Sequence, residues 1–327
     1  MQTIDAARVH ELLEHGKLVE ALRQAHLGPM PAISDRQIYS QPHEDGDPDV
    51  LILLPAWEPQ EGILVKLVTS FPRNKTRFGA PTVNSLYVFL NGQSGVPEAI
   101  FDGEAVIFRK TSADSALGAS ILARKDAKTL LMIGSGGLAP YLVRAHCTVR
   151  PSIRDVLIWN RTLSTAAKLA GTLVAEGIPA RQVSDLDQAV PCADIISCAT
   201  MATSPLLKGK LLSPGVHVDL VGSFTPEMRE ADDDVLLRGK IFVDHRQITK
   251  RSGEFIGPLA RGIITPDDVR GDMFELCQGK VGGRESDHDI TVMKNGGGSY
   301  LDYFVTRYLM SRLRGGGPAK TLEPARP

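Results

Sequence analysis

The chain has 327 residues, 43% of them hydrophobic and 23% charged, the make-up of a soluble globular protein of about two domains. Its 37 Lys and Arg balance 38 Asp and Glu, for a formal net charge of −1. That balance argues against a nucleic-acid partner and against an acidic solvating tail, and no apolar run approaches the roughly 18 residues of a membrane span.

Residues 4 to 26 carry Ile4, Val9, Leu12, Leu13, Leu18 and Leu22 at helix-like spacing, so the chain reads as helical from its start. This opening lacks the charged, apolar, small order of a signal peptide, and we expect a cytoplasmic protein. Residues 33 to 109 read as short strands broken by turns: 51–57, 62–71, 84–91, 98–103 and 106–109, punctuated by Gly92, Gly95 and Gly103. Helical spacing returns over 111–124. From residue 129 short apolar strands alternate with helices: 129–134, 156–160, 195–200, 216–222, 240–244 and 290–294. Strands with little alternation, separated by helices, predict a parallel sheet covered on both faces. A helix follows from about Ser299 to Arg314, and the Gly- and Pro-rich end reads as a disordered tail. Cys147, Cys192, Cys198 and Cys277 show no CxxC spacing, and the eight histidines form no HxH or HExxH pair. Reduced, buried thiols and no metal site are expected.

The strand 129–134 runs into Gly134-Ser135-Gly136-Gly137-Leu138-Ala139, a G-x-G-x-x-A loop that opens a helix. Gly134 permits the tight turn, Gly136 lets backbone approach a pyrophosphate, and Ala139 allows close helix packing. The helix N-terminus offers N–H groups to the phosphates, and Pro140 suits its first turn. The second strand ends in Asn160-Arg161-Thr162. A carboxylate for a ribose 2'-hydroxyl is missing there, and Arg161 can pair with a 2'-phosphate. This favours NADPH, with NADH the weaker possibility.

Lys66 interrupts an apolar strand, an unusual place for a charge unless the position faces outward. Such a lysine can hold a carboxylate or move a proton beside an imine. Arg109, Lys110, Thr111 and Ser112 could hold an anion where a helix begins, or merely cap it. Arg36, in a loop, is unremarkable alone.

Together these segments resemble the ornithine cyclodeaminase/mu-crystallin family over about Arg36 to Asp302. The resemblance rests on Arg36, on Lys66 followed by Pro72 and Asn74, on Lys110 to Leu117, on Gly134 to Ala139, and on Met293 to Asp302. Lys110 stands where the family has arginine, and Leu138 where it has glutamine. Phe224 replaces the aspartate that the cyclodeaminases use to manage the second amine of ornithine. The resemblance is strongest to the ketimine-reductase branch, which reduces Δ1-pyrroline-2-carboxylate and Δ1-piperideine-2-carboxylate to proline and pipecolate with NADPH.

The resemblance implies a Rossmann-type doubly wound sheet over 120–298. It implies an α+β substrate and dimerisation domain built from 1–119 with 299–316 returning to it, and a tail over 317–327. Lys66 is expected to be catalytic, and Arg36, Lys66, Arg109, Lys110, Ser223, Phe224 and Gly297 to bind substrate. Thr111, the loop from Gly134 to Ala139, Asn160, Arg161, Thr162, Ala199, Thr200, Met201, Val221 and Ser223 are expected to bind cofactor. A homodimer serving proline metabolism is implied. The competing expectations are ornithine cyclodeaminase, an alanine or other amino-acid dehydrogenase, or a non-catalytic NADPH-binding relative of crystallin.

Overall fold

The computed structural model describes residues 1–34, 36–43 and 46–315. The tail expected over 317–327 lies outside them. The chain forms two compact units, residues 1–110 with the segment from 298 onward, and residues 111–297. The first division falls between Lys110 and Thr111, within a continuous helix, where 119/120 was expected.

The first unit opens with β1 (Gln2–Ile4), α1 (Ala6–Leu12) and α2 (His15–Leu27). The uniform helix expected over 4–26 is therefore corrected. Gln2 to Ile4 pair in parallel with Ala99 to Phe101, and Asp5 caps α1 by accepting from the Arg8 N–H at 2.9 Å. The strands β2 (Ala32–Ile33), β3 (Gln37–Gln41), β4 (Asp49–Glu58) and β5 (Gly62–Ser70) follow. After α3 (Asn74–Phe78) come β6 (Val83–Asn91) and β7 (Pro97–Asp102). The sheet order is β1-β7-β6-β5-β4-β2, with β3 also on β4, antiparallel except at β1.

The strand expected at 106–109 is instead part of α4 (Gly103–Leu122). The Asp102 carboxylate accepts from the Ala105 N–H at 2.8 Å and starts the helix there. Twenty residues of cooperative helix then outweigh the β preference of Val106 and Ile107. The C-terminal helix Ser299–Leu313 packs on α2, β4 and β5. Its Tyr303 ring stacks on Phe89, 6.3 Å between centroids, and its Tyr300 and Phe304 meet His26 edge-on.

The second unit continues with β8 (Thr129–Ile133), α5 (Ala139–Val149), β9 (Asp155–Trp159), α6 (Leu163–Ala175), β10 (Ala180–Gln182), α7 (Leu186–Ala189), β11 (Ile195–Cys198) and β12 (His217–Leu220). Then come α8 (Asp233–Arg238), β13 (Lys240–Val243), α9 (Gly253–Ala260), β14 (Val269–Asp272), α10 (Met273–Cys277) and β15 (Thr291–Lys294), before the C-terminal helix, α11. All eight strands are parallel, in the order β10-β9-β8-β11-β12-β15-β13-β14. Leu130 and Met132 enter one core cluster, and Leu131 and Ile133 enter the other. The sheet is thus buried on both faces, which is why its strands read as unbroken apolar runs. Strand order reverses between β8 and β11, and the crevice at such a reversal is where open α/β sheets bind ligands.

The four cysteines are free. Only Cys198 is buried, Cys192 is exposed, and the expectation of four buried thiols is corrected. Among the described residues no helix is long and apolar enough to cross a membrane.

Candidate active site

In the first unit, Lys66 lies on β5 directly between Leu54 of β4 and Tyr87 of β6. Opposed residues in an antiparallel sheet share a face, so Lys66 and Tyr87 stand side by side. The Lys66 ammonium lies 5.3 Å from the Tyr87 ring centroid. Asp302, in the first turn of α11, is the anion that this face requires. Its carboxylate takes the Lys110 ammonium at 2.6 Å, the Tyr87 hydroxyl at 2.7 Å and the Lys66 ammonium at 3.6 Å. A carboxylate at a helix N-terminus is favoured by the helix dipole.

Two ammonium groups thus share one buried carboxylate, leaving one positive charge uncompensated. Burial pulls Lys66 down from 10.5 to about 8, with Asp302 opposing and Lys110 assisting. Burial pushes the Asp302 carboxyl up, but Lys110 and Lys66 outweigh it and hold the group below its ordinary range. Burial and the Asp302 charge raise the Tyr87 phenol well above its ordinary range, so it remains a donor. The cluster can receive an anion and pass one proton.

Arg109 and Lys110 are neighbours on α4, about 100° apart around the helix. Arg109 turns to His10 and His15, with contacts of 3.2 and 3.1 Å, while Lys110 turns to Asp302. Arg36 is exposed immediately before Gln37, which pairs with Leu53.

In the second unit, Gly134 ends β8 with φ +108°, and a Cβ there would lie 2.5 Å from the Ala199 carbonyl oxygen. Only glycine suits that turn. A Cβ on Gly136 would meet nothing within 4 Å. Gly136 and Gly137 are exposed, Ser135 and Leu138 half-buried, and Ala139 buried, with Pro140 in the first turn of α5. The open space before this helix N-terminus fits a pyrophosphate. The Ser135 hydroxyl donates to Thr165 Oγ1 at 2.8 Å, and the Asn160 amide donates to the same oxygen at 2.8 Å and to the Thr162 carbonyl. These bonds tie the glycine loop to the end of β9, where Arg161 and Thr162 are exposed.

Across the strand-order reversal, Ala199 and Thr200 are half-buried after β11, and Met201 is 75% exposed. Val221 is buried after β12, and Phe224 is half-exposed. Ser223 is fully buried, its hydroxyl donating to the Met228 carbonyl at 2.6 Å. It braces the loop from within. The Thr111 carbonyl accepts from the Asn295 amide at 3.0 Å. Gly297 is exposed at φ +62°, and its N–H donates to Asp244 at 2.6 Å.

Sequence reasoning assigned no role to Tyr87, Asp302, Thr165 or Glu230. Tyr87 reads as an ordinary strand aromatic until the β5–β6 register is known. Asp302 entered only as the end of the matched segment Met293 to Asp302, with no role given to it.

The sequence pattern that defines the ornithine cyclodeaminase/mu-crystallin family matches residues 2–317. The chain belongs to that family. Protein SAR DEFICIENT 4 of Arabidopsis thaliana is 42% identical, with 80% of this chain and 82% of that protein covered. Delta(1)-pyrroline-2-carboxylate reductase of Paracoccus denitrificans (strain Pd 1222) is 41% identical, with 91% and 92% covered. Among solved structures, the Thermococcus litoralis Delta(1)-pyrroline-2-carboxylate reductase in complex with NADH and L-proline is similar at a TM-score of 0.87 and 26% identity, covering 98% of this chain and all of that one. Several relatives are reductases of this kind, and the chain is similar to them, as its motifs led us to expect.

Proposed function

We propose that this family member is a nicotinamide-dependent oxidoreductase of C=N bonds. It reduces a cyclic ketimine carboxylate, Δ1-pyrroline-2-carboxylate or Δ1-piperideine-2-carboxylate, to L-proline or L-pipecolate. The observation that carries this reading is the Lys66–Asp302–Lys110 cluster, whose one surplus positive charge suits a single carboxylate beside a protonatable imine. The likeness to Delta(1)-pyrroline-2-carboxylate reductases supports it.

The first unit receives the substrate. Lys66 and Lys110 attract its carboxylate, with Arg36 as a third cation, and charge-assisted bonds fix its orientation. Asp302 and Tyr87 keep both ammonium groups in place. Lys66, as an ammonium near neutral pH, protonates the imine nitrogen and so raises the electrophilicity of its carbon. Reduced nicotinamide, when bound, supplies the hydride. In the second unit, the loop from Gly134 to Ala139 and the α5 N-terminus hold the pyrophosphate, while Asn160, Arg161 and Thr162 take the adenosine ribose. Arg161 favours NADPH: it is exposed at the end of β9, and its chain neighbours Asn160 and Thr162 carry no charge to repel a 2'-phosphate. Phe224 supplies an apolar surface where cyclisation of a diamine needs a charge.

A homodimer formed through the first unit accompanies this reading. The sheet face away from Lys66 carries the opposed rows Leu53–Leu67–Leu86 and Pro55–Val65–Val88, all partly or well exposed. Contiguous apolar surface of that kind marks an interface.

The test is oxidation of NADPH followed by absorbance with each cyclic imine, and release of ammonia from ornithine as the opposing assay. We expect turnover with the imines and none with ornithine; the reverse pattern overturns the reading. In the same assay Arg161→Ala raises KM for NADPH at least about tenfold with little change for NADH. Equal changes would show that Arg161 does not recognise the phosphate.

A further inference from the structure

We propose that Glu230 is a positioning residue for the nicotinamide half of the cofactor, clamping the loops that follow β11 and β12 at a fixed spacing. The inference rests on nicotinamide-dinucleotide binding as read above, but not on the identity of the imine. A dinucleotide lies across the strand-order reversal, with its pyrophosphate at the glycine loop of β8 and one mononucleotide half on each side. With the adenosine at β9, the nicotinamide half belongs to β11 and β12. Thr200 and Gly222 are the residues just beyond those strands.

Glu230 is 1% exposed. One carboxylate oxygen accepts from the Thr200 N–H at 2.7 Å and from the Thr200 hydroxyl at 2.9 Å, and the other accepts from the Gly222 N–H at 2.7 Å. Three donors therefore converge on one carboxylate from two different strand ends. The loops touch closely as well, since a Cβ on Gly222 would lie 2.0 Å from the Thr200 carbonyl oxygen.

Glu230 is itself held from behind. Its N–H donates to the buried carboxylate of Glu254, in the first turn of α9. Its carbonyl accepts from Leu206 and Leu207 at 2.8 and 2.9 Å. The Ser252 hydroxyl, at the N-cap of α9, donates to the Ser223 carbonyl at 2.8 Å. Both ends of the loop from Gly222 to Ala231 are thus fixed, and the Glu230 carboxylate sets how far the β12 loop stands from the β11 loop. An isolated stabilising role would need only one of these partners. Bridging two strand ends at the ligand side of the sheet is what sets the shape of a seat.

Glu230→Gln discriminates between a seat and a general support. Its amide nitrogen must face at least one of the three donors, so one contact is lost while side-chain shape is kept. Binding of NADPH and of 2'-phospho-ADP-ribose, which lacks only the nicotinamide, is measured by calorimetry on the wild type and the variant. We expect the NADPH Kd to rise about tenfold and the 2'-phospho-ADP-ribose Kd to stay within about twofold, because the glycine loop is untouched. With an active substrate, kcat should fall more than KM for the imine changes, since misplacement rather than lost substrate contact is the cause. Equal weakening of both nucleotides, or of neither, overturns the proposal. Thr200→Val removes one of the three donors and keeps the backbone bonds. It should shift NADPH alone, by about threefold, and serves if Glu230→Gln does not fold. If the wild type binds NADPH but reduces neither imine, the ketimine reading fails while the Glu230 comparison still stands. If it binds neither nucleotide, the Glu230 proposal falls.

Discussion

Lys66 shows how much one residue gains from its neighbours. A lysine in an apolar strand costs the fold unless it is paired, and here it shares Asp302 with Lys110 rather than owning a partner. Burial leaves its pKa at about 8, within range of physiological pH, which suits a proton donor. The sign for activity follows directly. The proton transfer proposed for Lys66 needs the ammonium, so on that reading kcat/KM should be flat at neutral pH and fall as pH rises through about 8. Stability moves the other way. Between about 8 and 10.5 the unfolded chain binds the proton that the folded one has lost, so Lys66 adds stability as pH rises through that window. Lys66→Met should therefore lower turnover by roughly 10²-fold or more, abolish the alkaline limb, and leave the Tm at pH 7 no lower. A pH–rate profile and a thermal melt check this, and a retained alkaline limb in the variant would remove Lys66 from the proton step.

At the scale of elements, the β8–α5 turn separates two kinds of glycine. Gly134 has φ +108° and a carbonyl against its Cα, whereas Gly136 faces open space. Gly134→Ala should cost at least about 1 kcal/mol of stability, since L residues are strained there, with weaker nucleotide binding as a consequence. Gly136→Ala should leave the melt unchanged but weaken NADPH binding, because its methyl enters the open space proposed for the pyrophosphate. Normal NADPH affinity in Gly136→Ala would place the phosphates elsewhere. This element was legible in the sequence because a strand, three glycines and a first-turn proline each have a local backbone reason. The segment 106–109 was not. Its residues favour a strand locally, and the helix is decided by the Asp102 cap and the length of α4, neither visible in four residues. The first strand was missed for a similar reason, since Gln2 to Ile4 are extended only because β7 lies beside them.

At the scale of the molecule, β5 is apolar at every position from Ile63 to Val68 except Lys66. A strand without alternation needs cover on both faces. The α11 helix covers one, and the rows through Leu67 and Val65 on the other remain open. We expect the wild type to sediment as a dimer and Leu67→Glu to sediment as a single chain with nucleotide binding intact. A monomeric wild type at micromolar concentration would sink the dimer.

The sequence by itself determined the parallel sheet, its glycine loop, the cation candidates and the existence of the C-terminal helix, because each is written in local periodicity or turn chemistry; the return of that helix to the first unit came only from the family resemblance. Tertiary structure alone decided that Lys110 rather than Arg109 joins Lys66, and that Asp302 is their shared anion. It also placed Tyr87 beside them, buried the Ser223 hydroxyl, and made Glu230 the tie between two strand ends. Each of these depends on which residues strand register and helix rotation bring within about 3 Å, and residues more than 200 positions apart in the chain, such as Tyr87 and Asp302, carry no local sign of one another.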